Sequence, residues 1–139
     1  MKINETFDRI TKEMGVTYIF DDISRINVKA DNAESYPAIL RQFPEQWNED
    51  TNFKAYYRVY WNLLLFFVDK CPFDFDTPKD IAPIVDNMLL LWVDFRKKLV
   101  EYGFNPEQVG GIEVVDKLDV NVAGISVNIR LREDIVCVV

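Results

Sequence analysis

The sequence contains no histidine. That removes the side chain whose charge changes nearest neutral pH, the commonest metal ligand and every histidine-dependent catalytic triad. Cysteine is nearly as scarce. Cys71 and Cys137 are too few and too far apart for a disulfide framework or a zinc ribbon. One bridge is open to them, but packed, reduced thiols are expected. Basic residues number 16 against 23 acidic, a formal charge of −7 that argues against a general phosphate-neutralising surface. There are only five glycines in 139 residues, and Gly110-Gly111 is a lone pair outside any phosphate-loop pattern. With 49% hydrophobic residues the chain is neither disordered nor low-complexity, so a single domain over 1–139 with a real core is expected. The charged start MKINETFDRITKEMG has no apolar stretch of leader type, and no membrane span is expected.

The stretch around which the rest is organised is FKAYYRVYWNLLLFFV, Phe53 to Val68. As a strand, its odd positions (Phe53, Ala55, Tyr57, Val59, Trp61, Leu63, Leu65, Phe67) form one uninterrupted apolar face. Its even positions begin polar at Lys54, Tyr56, Arg58, Tyr60 and Asn62, then end in Leu64, Phe66 and Val68. That half of the second face requires a cover, from this chain or a neighbour.

Ile3, Phe7, Ile10 and Met14 mark a short amphipathic helix that Gly15 can end. Val16 to Phe20 reads as a strand, Ile23, Ile26 and Val28 as a weaker extended segment, and Tyr36-Pro37-Ala38-Ile39-Leu40 as a strand with proline near its start. FPEQWNEDTN, with Phe43 and Trp47, reads as a polar contact loop over 43–52. DKCPFDFDTPKD is an acidic turn carrying Phe73 and Phe75. A long helix follows, with Asp80 as N-cap and Pro83 in the first turn. Ile81, Ile84, Val85, Met88, Trp92, Phe95, Leu99 and Tyr102 form its stripe, and Gly103 ends it. Leu89, Leu90, Leu91 and Val93 widen the stripe, so part of this helix should be hidden on two sides. The last third reads as strands: Ile112 to Val115, then Leu118, Val120 and Val122, then Ile125 to Leu131 with shifted parity, and finally Ile135 to Val139. A bulge or tight turn is expected at Ala123-Gly124, where the parity changes. The fold class is α+β, a mainly antiparallel sheet with two helices packed on one face.

Chemistry is sparse. Asp69, Asp74, Asp76 and Asp80 offer oxygen ligands but lack the glycine turn and terminal glutamate of an EF-hand loop, so a turn and helix cap explain them better. Cys71 has no histidine to activate it as a nucleophile. Tyr56, Tyr57, Tyr60 and Trp61 could stack on bases, but net acidity favours core and interface roles. Arg96, Lys97, Lys98, Arg130 and Arg132 could meet a partner's carboxylates. No catalytic, cofactor-binding or metal set is expected, and the chain does not read as an enzyme.

Tyr36-Pro37-Ala38-Ile39, LFFVDKCPFDFD, the helix ending DFRKKLVEYG and DVNVAGISVNIRL together resemble the bacteriophage tail-terminator and tail-completion proteins of the head-to-tail connection, from about residue 34 onward. The resemblance implies a virion structural protein, made in the host bacterial cytoplasm. It implies a homo-oligomeric ring, commonly of six copies, that contacts other neck, portal or tail-tube proteins. DNA would pass through the ring without being specifically bound. Interface positions expected on this basis are Phe43, Trp47, Tyr56, Tyr60, Leu64, Phe66, Val68, Phe73, Phe75, Arg130, Arg132, Ile135 and Val138. The alternative is a small α+β binding module with a hydrophobic ligand pocket between sheet and helix.

Overall fold

The computed structural model describes residues 2–22, 25, 36–51, 57–116 and 121–135. Helix α1 (Lys2–Met14) buries Ile3, Phe7 and Ile10 and leaves Glu5, Asp8, Arg9 and Lys12 in solvent. The spacing of four and three puts the apolar residues on one stripe. Helix α2 (Pro78–Glu101) buries Val85, Met88, Trp92, Phe95 and Leu99 in the same manner. Thr77, not Asp80, is its N-cap: the Thr77 hydroxyl accepts the Asp80 N–H at 3.2 Å. Asp80 lies within the first turn, where its charge meets the positive end of the helix dipole. Because α2 starts earlier than expected, Pro83 falls in the second turn.

The strands are β1 (Thr17–Asp22), β2 (Ala38–Phe43), β3 (Gln46–Glu49), β4 (Tyr57–Lys70), β5 (Glu107–Asp116) and β6 (Val122–Ile135). Among the described residues they form a six-stranded sheet in the order β1-β2-β4-β6-β5, with β3 also on β4. Only the β1–β2 pair is parallel. The fold is thus α+β, with both helices on one face.

On the helix side Leu63, Leu65 and Phe67 of β4 meet Ile125, Val127, Ile129 and Leu131 of β6 in the main core. Phe67 packs edge-on against Trp92 and Phe95, each at 5.6 Å, and Phe7 against Phe95 at 5.1 Å. Each such buried side chain contributes roughly 1.5–3 kcal/mol. The opposite face carries a smaller cluster of Ile19, Ala38, Leu40, Val68 and Val122, with Tyr36 and Phe66 packed against it. Hence the greasy end of the second β4 face finds part of its cover within the chain.

Three expectations are corrected. Segment 43–52 is not a loop throughout: Gln46–Glu49 pairs with Val59–Asn62, because β2 and β3 share the same side of β4 with two extra residues between them. No bulge or turn occurs at Ala123-Gly124, since β6 stays in register with β4 from Val122 to Ile135. The parity changes because Val122 joins the outer cluster while Ile125 onward joins the helix-side core. Gly124 is needed there for another reason: a Cβ would come within 1.9 Å of the Phe67 carbonyl oxygen. Finally, Ile125–Leu131 and Ile135 do not belong to separate strands: β6 runs on through Glu133-Asp134, and Ile135 still pairs with Tyr57. The expectations for Ile23, Ile26 and Val28, for Phe53–Tyr56, for Leu118–Val120 and for Val136–Val139 lie outside the described residues.

Candidate interaction surfaces

Ile39, Arg41 and Phe43 alternate onto the helix side of β2, so the strand period drives a charged residue into the core. Arg41 is fully buried. It donates from Nε to Glu45 Oε2 at 2.9 Å and from Nη2 to Glu45 Oε1 at 2.6 Å, a two-bonded fork. Its Nη1 donates to Asn4 Oδ1 at 2.8 Å and reaches the Tyr18 hydroxyl at 3.3 Å, while the guanidinium lies over Phe20 and Phe7. Burial opposes the Arg41 charge, but the Glu45 bond and the Tyr18 contact outweigh it and hold the group above its ordinary value. Burial pushes the Tyr18 phenol up, against the lowering influence of Arg41. This network ties α1, β1 and the β2–β3 corner together.

On that platform stands an aromatic corner. Phe43 is 55% exposed and meets Phe20 edge-on at 6.1 Å. Trp47 is 57% exposed and sits opposite Trp61, whose buried indole N–H has no hydrogen-bond partner among the described residues. An exposed phenylalanine and an exposed tryptophan four residues apart, on either side of the β2–β3 corner, are of the kind that serve as contact anchors.

At the other edge of the sheet, α2 stops short of covering β5. Val85, Leu89 and Trp92 form one wall of an apolar groove of about 290 Å³, Ile125 and Val127 its floor, and Val109 to Glu113 its lip. Leu89, Leu90 and Val93, expected to be hidden on two sides, are instead exposed, as are Ile112 and Val115 of β5.

The outer sheet face beyond the apolar cluster is polar. Arg130 lies over Tyr60 at 4.4 Å and donates to Glu107 at 2.7 Å, Arg58 pairs with Asp134 at 3.0 Å, and Arg132 approaches Asp134 at 3.7 Å. The Asp134 bond, set against some loss of hydration, holds Arg58 above its ordinary value.

The residues marked from the sequence therefore divide. Phe43 and Trp47 are together at the aromatic corner, and Tyr60, Arg130 and Arg132 together on the polar face. Half-buried Leu64 borders a depression on that same face, and Phe66 joins the second apolar cluster. Val68 is corrected: at 1% exposure it is held by its own chain and offers no surface to a partner. Phe73 is 74% exposed on the acidic turn, Phe75 is half-buried there, and Ile135 is exposed at the end of β6. Tyr56 and Val138 lie outside the described residues. Arg41 and Glu45 went unmarked, although arginine on a buried strand parity with glutamate four residues on is a legible sign.

Cys71 is a buried free thiol. Among the described residues no three metal-ligating side chains gather, and no helix is long and apolar enough to cross a membrane. The chain matches no protein-family model, and no curated protein is detectably similar to it in sequence.

Proposed function

We propose that this chain is a non-enzymatic structural subunit of a bacteriophage neck or tail. Copies of it would form a ring that terminates or joins the tail tube at the head-to-tail interface. The observation that carries this reading is the presence of two unlike apolar surfaces at opposite edges of one sheet: the Phe43–Trp47 corner and the α2–β5 groove. A contact between unlike patches leaves one of each free on every copy, so it repeats around an axis until it closes. The charge of −7 suits a lumen past which DNA slides without adhering. Portal, neck and tail-tube proteins are the neighbours on this reading, and the virion is its place of work.

The test is the solution mass of the purified chain by light scattering over a hundredfold concentration range. A discrete oligomer of about six copies is expected. A 16.3 kDa monomer at every concentration would overturn the ring and favour the hydrophobic binding module, with the groove as its pocket.

A further inference from the structure

We infer that two copies of this chain pair antiparallel through the solvent face of α2, about a two-fold axis. Leu90 of each copy packs on Val93 of the other, and Asp86 of each meets Lys97 of the other. The inference goes beyond the ring reading and does not depend on it.

Helix α2 carries two stripes. Val85, Met88, Trp92, Phe95 and Leu99, spaced alternately by three and four, are buried in the main core. Pro83, Asp86, Leu90, Val93, Lys97 and Val100 repeat that spacing elsewhere on the helix, and all are exposed. At 3.6 residues per turn the second stripe lies about 150° around the axis from the first. It therefore faces away from the sheet. Such a face is ordinarily polar. Here Leu90 is 64%, Val100 53% and Val93 43% exposed. The stripe is also separate from the α2–β5 groove, whose helix wall is Val85, Leu89 and Trp92.

Alternation by threes and fours is the pattern of a helix that packs along a second helix. Only a second copy with its own stripe need be supposed, and charge selects its direction. In a parallel pair in register, Asp86 would face Asp86 and Lys97 would face Lys97, a repulsive arrangement. Turned antiparallel with Leu90 opposite Val93, the stripe becomes complementary to itself. Asp86 then falls opposite Lys97, Lys97 opposite Asp86, and Val100 opposite Pro83. Sliding one helix by a heptad in one direction sets Val93 against Lys97, and in the other direction Leu90 against Asp86, so each neighbouring register buries a charge on an apolar side chain. Among the described residues neither Asp86 nor Lys97 has an ion-pair partner within its own chain.

Pro83 to Val100 spans about 26 Å of helix. The two copies meet helix to helix with their sheets outermost, because the core stripe of each looks away from the seam. A single two-helix seam is small beside the roughly 800 Å² per partner of a standard interface, so pairing should grow with concentration in the micromolar range. Where rings form, the seam joins one ring to a second as concentration rises.

The experiment uses the full chain with Cys137→Ser and buried Cys71 retained. Asp86→Cys and Lys97→Cys are made separately and treated with a short bismaleimide. A mixture of the two should yield crosslinked dimers. Each alone should not, because like positions then lie about 16.5 Å apart along the axis. Asp86→Lys and Lys97→Glu should each weaken pairing about tenfold, since each breaks two ion pairs per dimer, and the chain carrying both should regain the parental affinity. Leu90→Gln should weaken pairing by about a hundredfold with an unchanged circular dichroism spectrum. Crosslinking of either single variant to itself would overturn the antiparallel seam in favour of a parallel one. A ring by mass with no 86–97 crosslink would overturn the seam and leave the ring reading standing. A crosslinked dimer with nothing larger would uphold the seam and overturn the ring. A monomer throughout would overturn both.

Discussion

Arg41 shows how far one side chain depends on its partners. A guanidinium with no exposed surface survives because Glu45, Asn4 and the rings of Phe7 and Phe20 replace the water it loses. Removing the carboxylate strands the charge. Glu45→Ala is therefore expected to destabilise the fold by about 3–5 kcal/mol, read as a lower denaturant midpoint. The joint replacement Arg41→Met with Glu45→Leu should recover most of that loss, because a matched apolar pair leaves no charge to hydrate. A strand pattern read as ending at Leu40 left Arg41 unplaced and its partners unnamed. Glu45 reaches Arg41 only because the chain turns between β2 and β3.

The two helices were the most legible elements, since a stripe at threes and fours survives any tertiary arrangement. Their mutual docking was not legible. Glu13 at the end of α1 accepts bonds from the Tyr102 hydroxyl and from Lys98 at 3.2 Å, joining both helix ends. The Tyr102 bond and then the Lys98 bond hold the Glu13 carboxyl below its ordinary value of 4.5. Glu13 accordingly contributes stability above that value, and the contribution is lost as pH falls through the lower folded value. Glu13→Gln should thus lower the thermal midpoint modestly at pH 7, and the gap from the parent should close in acid. A gap that persisted to pH 2 would show that packing, not charge, joins the helices. The strands were harder to bound. The apolar stretch from Phe53 identified β4, but the parity change at Gly124 reports two separately buried faces, and a single strand's pattern cannot distinguish that from a bulge.

At the scale of the molecule, the basic side chains on the described sheet face are met by acids. Arg58, Arg130 and Arg132 share the polar sheet face, but Asp134 and Glu107 answer them there, and Lys98 is engaged by Glu13. With a net charge of −7, the assembled protein should leave duplex DNA unshifted in gels even at 50 mM salt. Retention that weakened steeply between 50 and 200 mM salt would reveal a phosphate-binding face and count against a passive lumen. Among the described residues the exposed apolar side chains include two unlike groups, the Phe43–Trp47 corner and the α2–β5 groove, and the proposed ring rests on these two.

Composition and periodicity by themselves determined the α+β class, the helix faces, the central strand and the surplus of apolar residues. These follow from local geometry, the 3.6-residue turn and the two-residue pleat acting on each segment in isolation. Strand order, the pairing of Gln46–Glu49 with β4, the burial of Val68, the Arg41 network and the gap between α2 and β5 were decided only in the tertiary structure. Each depends on which distant segments become neighbours, and a one-dimensional pattern records which way a side chain faces but not what it meets.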